Sequence, residues 1–103
     1  MSNHSVLTTT CQTSNDRDAL IKVALSTKLA ACVQVSQVTS HYVWQNEQQQ
    51  SEEYLLTFKT RTALIEKLIT ELKAVHSYKV PEIIVTPITG LPAYLQWIDE
   101  STQ

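Results

Sequence analysis

Leu64-Ile-Glu-Lys-Leu68-Ile-Thr-Glu-Leu72-Lys-Ala-Val75, then His76-Ser-Tyr78-Lys-Val80-Pro81-Glu82, then Ile83-Ile84-Val85-Thr86, set a helix, a polar link and a strand end to end. Leu64, Leu68, Leu72 and Val75, flanked by Ile65 and Ile69, form an apolar stripe at helical spacing, with Glu66, Lys67, Glu71 and Lys73 on the other side. The β-branched run from Ile83 to Thr86 reads as a strand buried on both faces. Pro81 stops the helical run and biases Val80 toward extended backbone, and Pro87 closes the strand. Between helix and strand, a short link carries an imidazole, a phenol, an amine and a carboxylate. Polar groups held between two rigid elements are what a metal or small-molecule site needs. Local chemistry by itself favours the plainer reading, a helix-to-strand turn.

The rest of the chain falls into place around this unit. Val6 to Cys11 is rich in β-branched residues and reads as a first strand. Asn15 is a good helix cap, with Asp16 and Asp18 in the first turn, and Ala19, Leu20, Val23, Ala24 and Thr27 carry a helix to Leu29. Ala31 to Trp44 is extended, but its apolar parity changes from Val33 and Val35 to Val38, Tyr42 and Trp44, so a β-bulge is expected near Ser36-Gln37. The polar run Gln45–Gln50 reads as a turn. Glu53 to Lys59 returns as a strand with Tyr54, Leu56 and Phe58 on one face, completing a long hairpin. Pro92 suits the start of a short last helix bearing Leu91, Leu95 and Ile98, with Tyr94 and Trp97 alongside.

The order β-α-β-β-α-β plus a terminal helix predicts an α+β fold: a ferredoxin-like βαββαβ sandwich with a long hairpin and a short C-terminal helix. With no internal repeat and no linker, residues 1–103 read as a single domain.

Composition excludes several function classes. A net charge of −2 argues against a nucleic-acid binder, which needs a basic face to release phosphate counterions. One glycine, Gly90, is too few for a phosphate-cradling loop, and predicts few tight left-handed turns, with connections that close by other means. No apolar run reaches the length of a membrane span. Met1-Ser-Asn-His-Ser carries neither a basic segment nor an apolar signal core, so a cytoplasmic location without membrane contact is expected. Cys11 and Cys32 read as buried free thiols.

Apolar residues occur at both parities in the strands: Leu55 beside Leu56, and Ile83 to Val85 in succession. The sheet face away from the helices is therefore expected to be covered, and one short terminal helix is too small for the task. The hairpin tip adds Tyr42, Val43 and Trp44. Assembly of copies through the sheet, as a closed ring, is the expectation.

The residues carry a resemblance over nearly the whole length, from Val6 to about Ile98. Lys28-Leu-Ala-Ala-Cys-Val33, Ser40-His-Tyr42-Val-Trp44, Lys59-Thr60, His76-Ser-Tyr78 with Pro81-Glu82, and Tyr94-Leu-Gln-Trp97-Ile together resemble the CutA divalent-ion tolerance family. The resemblance implies a ferredoxin-like fold and a homotrimer similar in build to the PII signalling proteins. It also implies a cytoplasmic role in tolerance of copper and other divalent cations, with no catalytic reaction and no organic cofactor. The ligand set it implies is a cysteine in the first strand, the histidine of His-x-Tyr and the glutamate after the proline. His76 and Glu82 match the last two. By ungapped count from Leu29-Ala-Ala-Cys32, the strand cysteine falls on Thr9, with Cys11 on the same strand face one pleat along. The candidate metal set is thus His76, Glu82 and Cys11. Tyr78, Pro81 and Lys59 are expected to support the ligand cleft, and Tyr42 and Trp44 to sit at the trimer interface.

Three functions compete. A trimer holding copper or another divalent cation between subunits would use imidazole and thiolate, soft donors suited to copper. A PII-like signalling or scaffold module, binding a small ligand or protein partner, would rely on Lys59, Lys79 and Tyr78. An enzyme of acylphosphatase type ranks lowest, because Thr9-Thr-Cys-Gln-Thr13 lacks the glycine and arginine of an anion loop.

Overall fold

A computed structural model describes residues 2–103. Strand β1 (His4–Cys11) leads into helix α1 (Ser14–Ser26), then strand β2 (Cys32–Trp44) and strand β3 (Glu47–Arg61). A 3-10 turn at Thr62–Leu64 opens helix α2 (Ile65–Val75), followed by strand β4 (Ile84–Ile88) and helix α3 (Pro92–Glu100). The four strands form one antiparallel sheet in the order β2-β3-β1-β4. This is the expected ferredoxin-like arrangement.

Alternation along the strands builds the core. Leu7 pairs with Phe58 and Thr9 with Leu56, and directly opposed residues share a face. That face meets Leu20 and Ala24 of α1 and Leu68 and Leu72 of α2, all fully buried. The stripe read from sequence is the buried side of α2 from Leu64 to Leu72, whereas Val75, at its end, is exposed. Helix α3 lies on the opposite face. Lys59 and Arg61, of the other β3 parity, meet Tyr94 and Thr102 there, through Lys59 Nζ to Tyr94 Oη at 3.3 Å and Arg61 Nε to Thr102 Oγ1 at 3.0 Å.

The structure corrects several local expectations. Thr13, rather than Asn15, caps α1, its hydroxyl accepting from the Asp16 amide at 3.1 Å. The helix ends at Ser26 through a Schellman closure: the amides of Lys28 and Leu29 donate to the carbonyls of Leu25 and Ala24. Lys28 supplies the left-handed residue at φ 58°, a position normally given to glycine. Left-handed turns thus occur despite the lack of glycine.

No bulge interrupts the hairpin. Pairing runs unbroken from Cys32 opposite Lys59 to Trp44 opposite Glu47. The parity change instead marks where the hairpin leaves the cover of the helices: Val33 faces them, whereas Tyr42 and Trp44 point to the other side. The expected turn over Gln45–Gln50 shrinks to Gln45 and Asn46, at φ 51° and 65°. Positive φ at both positions is the type I′ geometry that matches strand twist, so Glu47 to Gln50 belong to the ladder.

Pro87 lies within β4, opposite Ser5. An edge strand tolerates proline because one side of its backbone has no partner. Helix α2 stops at Val75, because His76 is already extended at φ −71°, ψ 135°. Pro81 comes five residues too late to be the stop.

The hairpin outruns its support. Strand β1 ends at Cys11, opposite Tyr54, so everything from Glu53 to the tip is a two-stranded ribbon. The dimensions, 45 × 24 × 21 Å, and a radius of gyration of 14.2 Å reflect this projection, against about 13 Å for a compact chain of this length.

Candidate functional site

The link between α2 and β4 folds against the end of β1 and the root of the hairpin. His76 Nε2 lies 3.0 Å from the Thr10 carbonyl and 3.1 Å from Thr9 Oγ1. A carbonyl only accepts, so Nε2 carries the proton. Nδ1 lies 3.1 Å from the Tyr78 amide, which only donates, so Nδ1 offers its lone pair. The ring is therefore the neutral Nε2–H tautomer with both nitrogens engaged. Burial holds the imidazole below its usual range, opposed by the Thr10 hydrogen bond and by the charges of Asp16 and Glu53.

Tyr78 continues the chain of contacts. Its hydroxyl donates to Glu53 Oε2 at 2.5 Å, a short charge-assisted bond, and its ring lies 5.1 Å from that of His76. Burial, reinforced by Glu53, raises the phenol well above its ordinary range. Next to Glu53, the Tyr54 ring carries the Arg17 guanidinium 4.8 Å from its centre.

Cys11 is fully buried in the core, its Sγ 3.9 Å from the Thr13 carbonyl. Burial first, then Asp16, pushes its thiol up to about 11, so it holds its proton at neutral pH. Cys32 is a half-buried free thiol. Glu82 is exposed, and Pro81 is half-buried. Lys59 stands on the other sheet face, its ammonium 5.4 Å from the centre of the Tyr94 ring.

The sequence-derived residues thus divide. The structure joins His76 and Tyr78 to Thr9, Thr10 and Glu53, while Lys59 belongs with α3. Sequence reading missed Glu53 and Thr10, which only the strand register brings to the loop. Thr9, the position reached by counting from Cys32, does face the imidazole. Among the described residues, no three His, Cys, Asp or Glu side chains gather closely enough to hold a metal ion. With His76 doubly engaged and Cys11 protonated, the donor set of one chain by itself does not fit a resident cation.

The chain is thus a four-stranded α+β sandwich with a projecting hairpin and a polar loop at its root. The family model for CutA1 divalent ion tolerance protein matches residues 5–101. The divalent-cation tolerance protein CutA of Thermus thermophilus is 44% identical over 81% of this chain and 82% of its own. The chloroplastic CutA protein of Arabidopsis thaliana is 46% identical over 74% of this chain, which covers 43% of that longer protein. The crystal structure of CutA from Xylella fastidiosa superposes with a TM-score of 0.94 at 32% identity, covering 99% of this chain and 100% of that one. The chain belongs to the CutA1 divalent ion tolerance family. No helix among the described residues is long and apolar enough to cross a membrane.

Proposed function

We propose that this chain works as a homotrimer in divalent-cation tolerance, with copper the first cation to test, and as a binding protein rather than an enzyme. One observation carries the assembly reading: the hairpin beyond Glu53 is a bare two-stranded ribbon with apolar side chains in water. Val43 is 71% exposed and Trp44 58%. An isolated hairpin is marginal in water, and apolar residues concentrated on such a ribbon suit burial against another copy. Val35, Ile84 and Val85 add exposed apolar surface along the sheet. Closed rings are the usual outcome for identical chains joined head to tail.

Ion contact then belongs to clefts between subunits, where a neighbour supplies donors that one chain lacks. Glu82 is exposed and available as it stands. His76 joins only by giving up the Tyr78 amide or the Thr10 carbonyl, and Cys11 only by losing a firmly held proton. Copper and zinc calorimetry on the wild type, Glu82→Ala and His76→Ala tests this. A tenfold loss, about 1.4 kcal/mol, places the altered residue in the coordination sphere. Unchanged affinity in both variants contradicts the ion reading.

The alternative, a PII-like module for a small ligand or protein partner, gains support from the engagement of both His76 nitrogens, which makes the loop a shaped surface. Lys79 beside Tyr78 would then meet the ligand. Binding of carboxylates or nucleotides, without competition from copper, would favour it.

A further inference from the structure

Glu53 and Tyr54 occupy the point where β1 stops and the hairpin continues unsupported. Each is gripped by a different element. Tyr78, from the loop after α2, donates to Glu53, and Arg17, from α1, covers the Tyr54 ring. The loop is itself fixed: the Tyr78 amide is tied to His76 Nδ1, and His76 Nε2 to the last turn of β1 through Thr10 and Thr9. A continuous path of hydrogen bonds therefore runs from the end of β1, through His76 and Tyr78, to the hairpin root.

We propose that Tyr78 is a positioning residue, a brace that couples the setting of the α2–β4 loop to the angle at which the hairpin leaves the body. The loop carries Lys79 and Glu82, the groups exposed for a ligand; the hairpin carries the surface for assembly. A ligand that draws the loop from Glu53 loosens the hairpin root, and a neighbour that fixes the hairpin tightens the loop; the two effects are reciprocal. The consequence for assembly rests on the homotrimer reading above, whereas the brace itself is a property of one chain.

Hydrogen exchange over residues 76–82 and 48–54 tests the brace in Tyr78→Phe, Glu53→Ala, Glu53→Gln and the double variant Tyr78→Phe/Glu53→Ala. Tyr78→Phe and Glu53→Ala should each speed exchange in both segments by roughly tenfold, the scale of one charge-assisted hydrogen bond. The double variant should be no faster than either single. Glu53→Gln, whose amide oxygen still accepts from the phenol, should retain most of the protection. Unchanged exchange at 48–54 in Tyr78→Phe, or additive effects in the double variant, would overturn the brace. A wild type that is monomeric at micromolar concentration overturns the assembly reading instead, and the exchange data still decide the brace.

Discussion

Trp44 stands directly opposite Glu47, the two residues closing a two-residue turn at the far end of a ribbon that no other element supports. An indole 58% exposed and far from the core adds little to the subunit's own packing. Trp44→Ala should leave subunit secondary structure intact and weaken self-association by about 2 kcal/mol or more, the usual scale for an aromatic anchor. Circular dichroism and a dilution series by light scattering measure the two effects. Unchanged association would mean that the indole merely caps the hairpin.

Lys28 holds the left-handed position that closes α1, and a side chain there is strained. Lys28→Gly should stabilise the fold by up to about 1 kcal/mol, read from the denaturant midpoint. Glycine at an ordinary surface position would destabilise instead, so the sign of the change is the test.

Local periodicity made the architecture legible. The α2 stripe and the Tyr54, Leu56, Phe58 face depend only on spacing, and both are where the pattern put them, apart from Val75, exposed at the end of α2, and Tyr54, partly open at the hairpin root. Features that depend on tertiary context were hidden. Asn15 is by residue type at least as good a cap as Thr13, and only the path of the chain selects Thr13. Gln48 to Gln50 lack apolar alternation because neither face of the projecting ribbon is covered by this chain, so a ladder looked like a loop. Tyr78 meets Glu53 from 25 positions away in sequence, a contact fixed by strand register. His76 was legible as a polar loop residue, but the engagement of both its nitrogens was not.

Acid should erode the His76 contribution. Its folded pKa lies below the unfolded value of about 6.5. The unfolded chain therefore takes up the proton first, so the stabilisation is full above about pH 6.5 and is lost as pH falls through the folded value. Wild type should be more stable than His76→Gln at pH 7, with the difference shrinking toward pH 5 in urea titrations. A difference that grows with acid would contradict the neutral, doubly bonded ring.

Pro81 restrains the loop without ending α2. Pro81→Ala should speed hydrogen exchange at residues 77–82 while changing unfolding free energy by no more than about 1 kcal/mol. Loss of cooperative unfolding would instead make the segment part of the core.

The measurement that bears most directly on the proposed assembly is the solution mass of the wild-type chain by light scattering at micromolar concentration. A homotrimer gives a single species of three chains, each of 11.6 kDa. A mass of one chain, with the hairpin still ordered, would contradict it.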